Sequence, residues 1–159
     1  MKKISLCIVA LSIVAVVSGC SNAASKSNLG STAALAPVSS DNKALKFFKE
    51  KMPGCKVITC AEEDITGDGK KDLVVIYEGT DTNNNMTAVV STTDSFIITS
   101  SLPAPVKNQK IEFKDIDQKP PMEFMVSGSK GSNFGYAIYK VEDGSLKDIF
   151  GSGMEKCCR

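Results

Sequence analysis

The chain has 159 residues, with 19 lysines and arginines against 18 aspartates and glutamates, and neither histidine nor tryptophan. That balance argues against a nucleic-acid binder, since no basic cluster stands out. The missing histidine excludes every Ser-His and Cys-His arrangement, and with them the ordinary nucleophilic hydrolases.

Lys2 and Lys3 give a positive start, and Ile4 to Val17 is almost wholly apolar. The run is too short for a good spanning helix and reads as a secretory leader over residues 1–19. Its end, Val17-Ser18-Gly19-Cys20, resembles the lipobox of bacterial lipoproteins. That resemblance implies cleavage before Cys20, lipid on its sulfur and amine, and a place on the extracytoplasmic face of the cell membrane. Several acyl chains would hold the protein there far more firmly than one. Cleavage would leave 17 basic residues against 18 acidic ones. Residues 20–40, rich in Ser, Ala and Asn, read as a flexible tether. The remainder, 41–159, is enough for one domain with a single modest core.

Asp41 is the expected cap of a helix running through Met52. Leu45, Phe48 and Met52 share one face, joined by Ala44 and Phe47, while Lys49 and Lys51 suit the C-terminal dipole. Pro53-Gly54 ends it. Strands are expected at Val57 to Cys60, Leu73 to Tyr77, Thr87 to Ser91 and Phe96 to Thr99, with Asn83-Asn84-Asn85 and Asp94 as separators. After Pro103 and Pro105 come Lys110 to Phe113, Phe124 to Val126, Tyr136 to Lys140 and Leu146 to Phe150, the last two joined by an Asp143-Gly144 hairpin. The fold class is therefore α+β and mainly β.

Each set of four strands has an acidic loop between its first two members. Asp64-Ile65-Thr66-Gly67-Asp68-Gly69-Lys70-Lys71-Asp72 aligns without a gap on Asp115 to Glu123, at an offset of 51 residues. This is a weak internal repeat of the kind found in repeated β-units. In the first loop the side chains of Asp64, Thr66, Asp68 and Asp72, with the Lys70 carbonyl, can converge on one hard cation. The loop resembles the calcium motif of FG-GAP and VCBS repeats. The resemblance implies bound Ca2+ and two four-stranded, blade-like antiparallel units, at 57–100 and more faintly at 110–150. Two units are too few for a closed propeller. In the second loop Lys119 takes the place of Asp68, and Pro120, Pro121 and Glu123 replace Gly69, Lys70 and Asp72. A lysine in a ligand ring repels a cation, so this loop is expected to be metal-free.

The chain has six cysteines. Cys7 would leave with the leader and Cys20 would carry lipid, so Cys55, Cys60, Cys157 and Cys158 remain as thiols. In a continuous strand Cys55 and Cys60 would stand roughly 16 Å apart, too far for a disulfide. Cys157 and Cys158 can bond each other only through a strained, easily reduced ring. As thiolates they suit Hg2+, Cu+ or Zn2+, and Lys156 and Arg159 favour the thiolate form.

A lipobox, an FG-GAP-like core and a terminal Cys157-Cys158 together resemble the SaoC-like Cys-Cys-COOH (seleno)proteins of the selenocysteine-assisted organometal system. That resemblance implies handling of mercury or organomercury beside a membrane metal transporter; Arg159 departs from it, since the family's pair ends the chain. Three functions stay open. The terminal dithiol captures a soft metal and hands it on, with Cys55 and Cys60 as relay thiols. Alternatively the protein is an extracytoplasmic thiol–disulfide reductant, although it has no Cys-x-x-Cys motif. The third is a calcium-stabilised adhesion module in which the tail is stapled to Cys55 or Cys60.

Overall fold

The computed structural model describes residues 37–79, 83–152 and 154–157. The leader, Cys20, most of the tether, Cys158 and Arg159 lie outside these residues, and Cys157 is described in its backbone alone.

Helix α1 spans Lys43–Lys51, and its cap is Asn42 rather than Asp41. The Leu45 N–H donates to Asn42 Oδ1 at 2.9 Å, and Asn42 Nδ2 donates to Glu62 Oε1 at 2.6 Å. Asn42 therefore both satisfies an orphan helix donor and ties the helix start to the first strand. Asp41 pairs instead with Lys46 at 2.9 Å in solvent. Ala44, Leu45 and Phe48 are buried, and Phe47 and Met52 pack at the margin of the same face.

Nine strands follow among the described residues: β1 (Lys56–Glu63), β2 (Asp72–Glu78), β3 (Asn84–Ser91), β4 (Phe96–Ile98), β5 (Leu102–Pro103), β6 (Lys107–Lys114), β7 (Glu123–Lys130), β8 (Asn133–Glu142) and β9 (Ser145–Ser152). They form two open antiparallel sheets: sheet 1, ordered β1-β2-β3-β4 with β5 also on β3, and sheet 2, the meander β6-β7-β8-β9. A short helix α2 (Met154–Cys157) ends the described chain.

Alternation along β2 decides the layering. Val74 and Ile76 face a core shared with Phe124, Val126, Ala137 and Tyr139 of sheet 2. Leu73, Val75 and Tyr77 face the opposite way, under α1. A strand buried on both faces reads as a continuous apolar run, which is why Leu73 to Tyr77 shows no polar alternation. The layers are thus α1, sheet 1 and sheet 2.

Three features depart from the sequence expectation. Asn84 and Asn85 belong to β3 rather than to a separator, because the buried Asn84 side chain donates to the carbonyls of Pro105 (2.7 Å) and Val106 (3.1 Å). The proline-bearing stretch after Thr99 contributes β5, which gives sheet 1 a fifth strand. The tail contains α2, whose length gives no helical period to read. Among the described residues no helix is long and apolar enough to cross a membrane.

Candidate functional site

The repeat seen in sequence carries into matching geometry. Asp72 and Glu123 open β2 and β7, and both are buried. Asp72 Oδ2 accepts from the Ile65 N–H at 3.1 Å, and Glu123 Oε2 accepts from the Ile116 N–H at 2.9 Å. Gly67 (φ 74°) and its counterpart Gln118 (φ 58°) both adopt the left-handed conformation. A glycine does so without strain, which suits position 67, whereas Gln118 accepts a steric cost there. The loops are neighbours: a Cβ on Gly67 would lie 3.4 Å from Pro120 Cβ.

The first loop brings Asp64, Thr66, Asp68, Lys70 and Asp72 together, but most of its acid oxygens are turned onto the chain itself. Asp64 Oδ1 accepts from the Gly67 N–H at 2.7 Å and, at 3.3 Å, from those of Thr66 and Asp68. Its Oδ2 accepts from the Gly69 N–H at 2.8 Å. Asp68 accepts from the Lys70 N–H and pairs with its ammonium, each at 2.9 Å; these bonds hold its carboxyl below the usual range. Thr66 Oγ1 donates to Asp72 Oδ2 at 3.1 Å, and the Ser91 N–H donates to Asp72 Oδ1 at 2.8 Å. Burial pushes the Asp72 carboxyl up, and the bonds from Ser91, Thr66 and Ile65 pull it partly back. The donor set is all oxygen, which fits a hard cation such as Ca2+; Asp64 Oδ2 and Asp72 Oδ1 each accept one amide bond and keep a second lone pair, whereas Asp64 Oδ1 and Asp72 Oδ2 are already taken by two or more donors. Even without a cation these carboxylates brace the turn.

Among the described residues, the acid groups that converge most closely lie in the second loop, for which the sequence reading expects no metal. Carboxylate oxygens of Asp115, Asp117 and Glu123 lie within 4.8 Å of one another. The sequence argument rested on Lys119 as a repelling charge. In the fold the Lys119 backbone N–H donates to Asp117 Oδ1 at 2.9 Å. The cation whose charge this cluster favours is Lys140: its Glu142 partner holds its proton most strongly, and Asp117 and Glu123 add to the effect.

Cys55 and Cys60 are free thiols, both half-buried in the layer under α1. Burial pushes the Cys60 thiol up, partly offset by nearby Lys49. α2 packs on β8 and β7, and Met154 at its head joins the core between the sheets. Cys60 and the tail helix therefore face opposite sides of sheet 1. The Cys157 backbone ends α2, and Lys156 beside it is exposed.

Comparison of the chain with family models, with curated proteins and with solved structures gives no match.

Proposed function

We propose that the protein is a membrane-anchored extracytoplasmic lipoprotein whose terminal dithiol, Cys157 with Cys158, captures a soft metal or organometal of the mercury type. It passes this cargo to a membrane transporter. The observation that carries the reading is the docking of α2 through Met154, which gives the pair a held base instead of a loose end. The free state of Cys55 and Cys60 supports an open pair over a staple to the body. Thiolates prefer soft ions, and exposed Lys156 favours the thiolate form. Cys55 and Cys60 are slower secondary acceptors in this scheme. The scaffold is a pair of FG-GAP-like, blade-like units. Ca2+ binds the first loop through Asp64, Thr66, Asp68, Asp72 and the Lys70 carbonyl, once Asp68 leaves the Lys70 ammonium, and it steadies the turn.

The test is titration of the full chain with Hg2+ or Cu+ beside a Cys157→Ser/Cys158→Ser variant. The wild type binds one ion tightly, and the variant binds it at least about tenfold more weakly. Equal affinity in the two defeats the proposal. Turnover of a disulfide substrate that depends on the pair would move the assignment to the reductant. A reducible bridge to Cys55 or Cys60 would move it to the adhesion module.

A further inference from the structure

The outer face of sheet 2 carries an apolar group that no element among the described residues covers. Phe134 is 65% exposed and Phe150 55%. The rings of Tyr136 and Phe150 lie 5.9 Å apart. Phe134, Tyr136 and Met125 line one hollow of about 470 Å³, edged by Asn108, Lys110, Glu112 and Ser127. Single exposed apolar residues are ordinary, but grouped rings on an uncovered face mark a contact surface.

The register puts Phe134 near one end of the sheet and Phe150, opposite Ile138, further along the same outer face. Lys107 lies opposite Ser129, Lys130 opposite Asn133, and Tyr136 opposite Ser152, the last residue of β9. Phe134 therefore sits at the tip of the β7–β8 hairpin, at the end where α2 packs on β8. Charge is unevenly divided along sheet 2. This end carries Lys107, Lys110, Lys130 and Lys156 against Glu112 and Glu155. The loop end carries Lys114, Lys119, Lys140 and Lys147 against Asp115, Asp117, Glu123, Glu142, Asp143 and Asp148.

We infer that the α2 end of sheet 2 docks on an anionic lipid surface, with Phe134 and Phe150 entering the headgroup region and Lys107 and Lys130 meeting lipid phosphates. The inference rests on the lipoprotein reading above. Aromatic rings favour the headgroup level, and lysines beside them are drawn to anionic lipid. A second copy is the poorer occupant, because an isologous contact would bring this positive end against itself. The tether allows the contact. α1 starts beside the loop end, through the Asn42–Glu62 bond, so the docking end is one strand length away, about 26 Å. Residues 20–36 can span at most roughly 60 Å. Docking would bring α2, the helix that leads into the terminal pair, to the membrane side of the molecule.

The chain has no tryptophan, so Phe134→Trp supplies its only indole. The full chain is anchored by its own lipid in vesicles of phosphatidylcholine alone, or mixed with phosphatidylglycerol, with brominated acyl chains as quencher. In the mixed vesicles the Phe134→Trp emission shifts to the blue and is quenched several-fold more than in the neutral ones. Added Lys107→Glu/Lys130→Glu removes the difference. Ile97→Trp, on β4 beside the Asp143-Gly144 turn, stays unquenched in both. Equal quenching at positions 134 and 97, or none at 134, overturns the inference. A blue shift without lipid that grows with protein concentration also overturns it, in favour of a second copy. The mass of the Cys20 peptide reads lipidation separately. If no lipid is found, the anchor reading fails, and the same quenching with chain added to preformed vesicles still decides the docking.

Discussion

Asn84 shows how one side chain can tie β3 to the linker between the two sheets. Its amide donates to the Pro105 and Val106 carbonyls, and Gln109 Nε2 donates to the same two at 3.0 and 2.7 Å. Because the donors overlap, Asn84→Ala leaves neither carbonyl bare and costs about 1 kcal/mol in urea unfolding. Asn84→Ala combined with Gln109→Ala strips both carbonyls and costs more than the sum of the single changes. Asp72 gives a sign to test. Its folded-state carboxyl is raised by burial, so the native form holds that proton more tightly than the unfolded chain does. The contribution is fully present below the ordinary value of 3.8 and is lost as pH rises through the folded value. Between those limits wild-type stability falls with pH relative to Asp72→Asn, and paired urea titrations across acid pH read the difference.

At the scale of elements, α1 is held by few contacts of high value. Phe48 is fully buried and its ring lies 5.2 Å from that of Tyr77. Phe48→Ala should cost about 3–5 kcal/mol, and loss of the helix layer should expose Cys60 to thiol reagents. On the other sheet Gly128 faces the bulge of β6, where an added Cβ would come 2.4 Å from Pro105 Cβ and 2.7 Å from the Lys107 carbonyl oxygen. Gly128→Ala therefore forces backbone to move and should cost about 1–3 kcal/mol in thermal or urea unfolding.

These two elements also mark what the sequence makes legible. β2 was legible because its burial on both faces leaves an unbroken apolar run. The Asp143-Gly144 hairpin was legible because both residues need positive φ and show it, at 50° and 70°. The start of β3 was not, since Asn84 and Asn85 carry a turn signature and only the distant carbonyls of 105 and 106 reward a strand there. β5 was hidden by Pro103 and the nearby Pro105, and α2 by its shortness. In the loops, sequence spacing identified the acids but not their orientation. It put Asp64, Asp68 and Asp72 around a cation; the fold adds that Asp64 and Asp72 accept N–H groups of the turn and that Asp68 pairs with Lys70. It dismissed the second loop on the charge of Lys119, yet Asp115, Asp117 and Glu123 converge there.

Across the whole molecule, two open sheets share one core and leave opposite ends with different work. The loop end is braced by buried acids and receives α1, and the other end carries α2 and the exposed rings. This division lets the proposed metal site vary without disturbing the scaffold. If the pair serves metal capture rather than packing, Cys157→Ser/Cys158→Ser should leave the unfolding free energy within about 0.5 kcal/mol of wild type. A larger loss would mean that the tail sulfurs support the fold.

The cysteine on β1 turns the helix layer into a gauge of its own breathing. A sulfur kept protonated beneath α1 reacts with an alkylating reagent at a rate limited by how often the helix lifts and how readily the proton leaves. With Cys55→Ser as background, labelling of the intact protein should resolve into a fast wave at the tail and a slow one at Cys60. The ratio of that slow rate to the rate in denaturant measures how often the first layer opens.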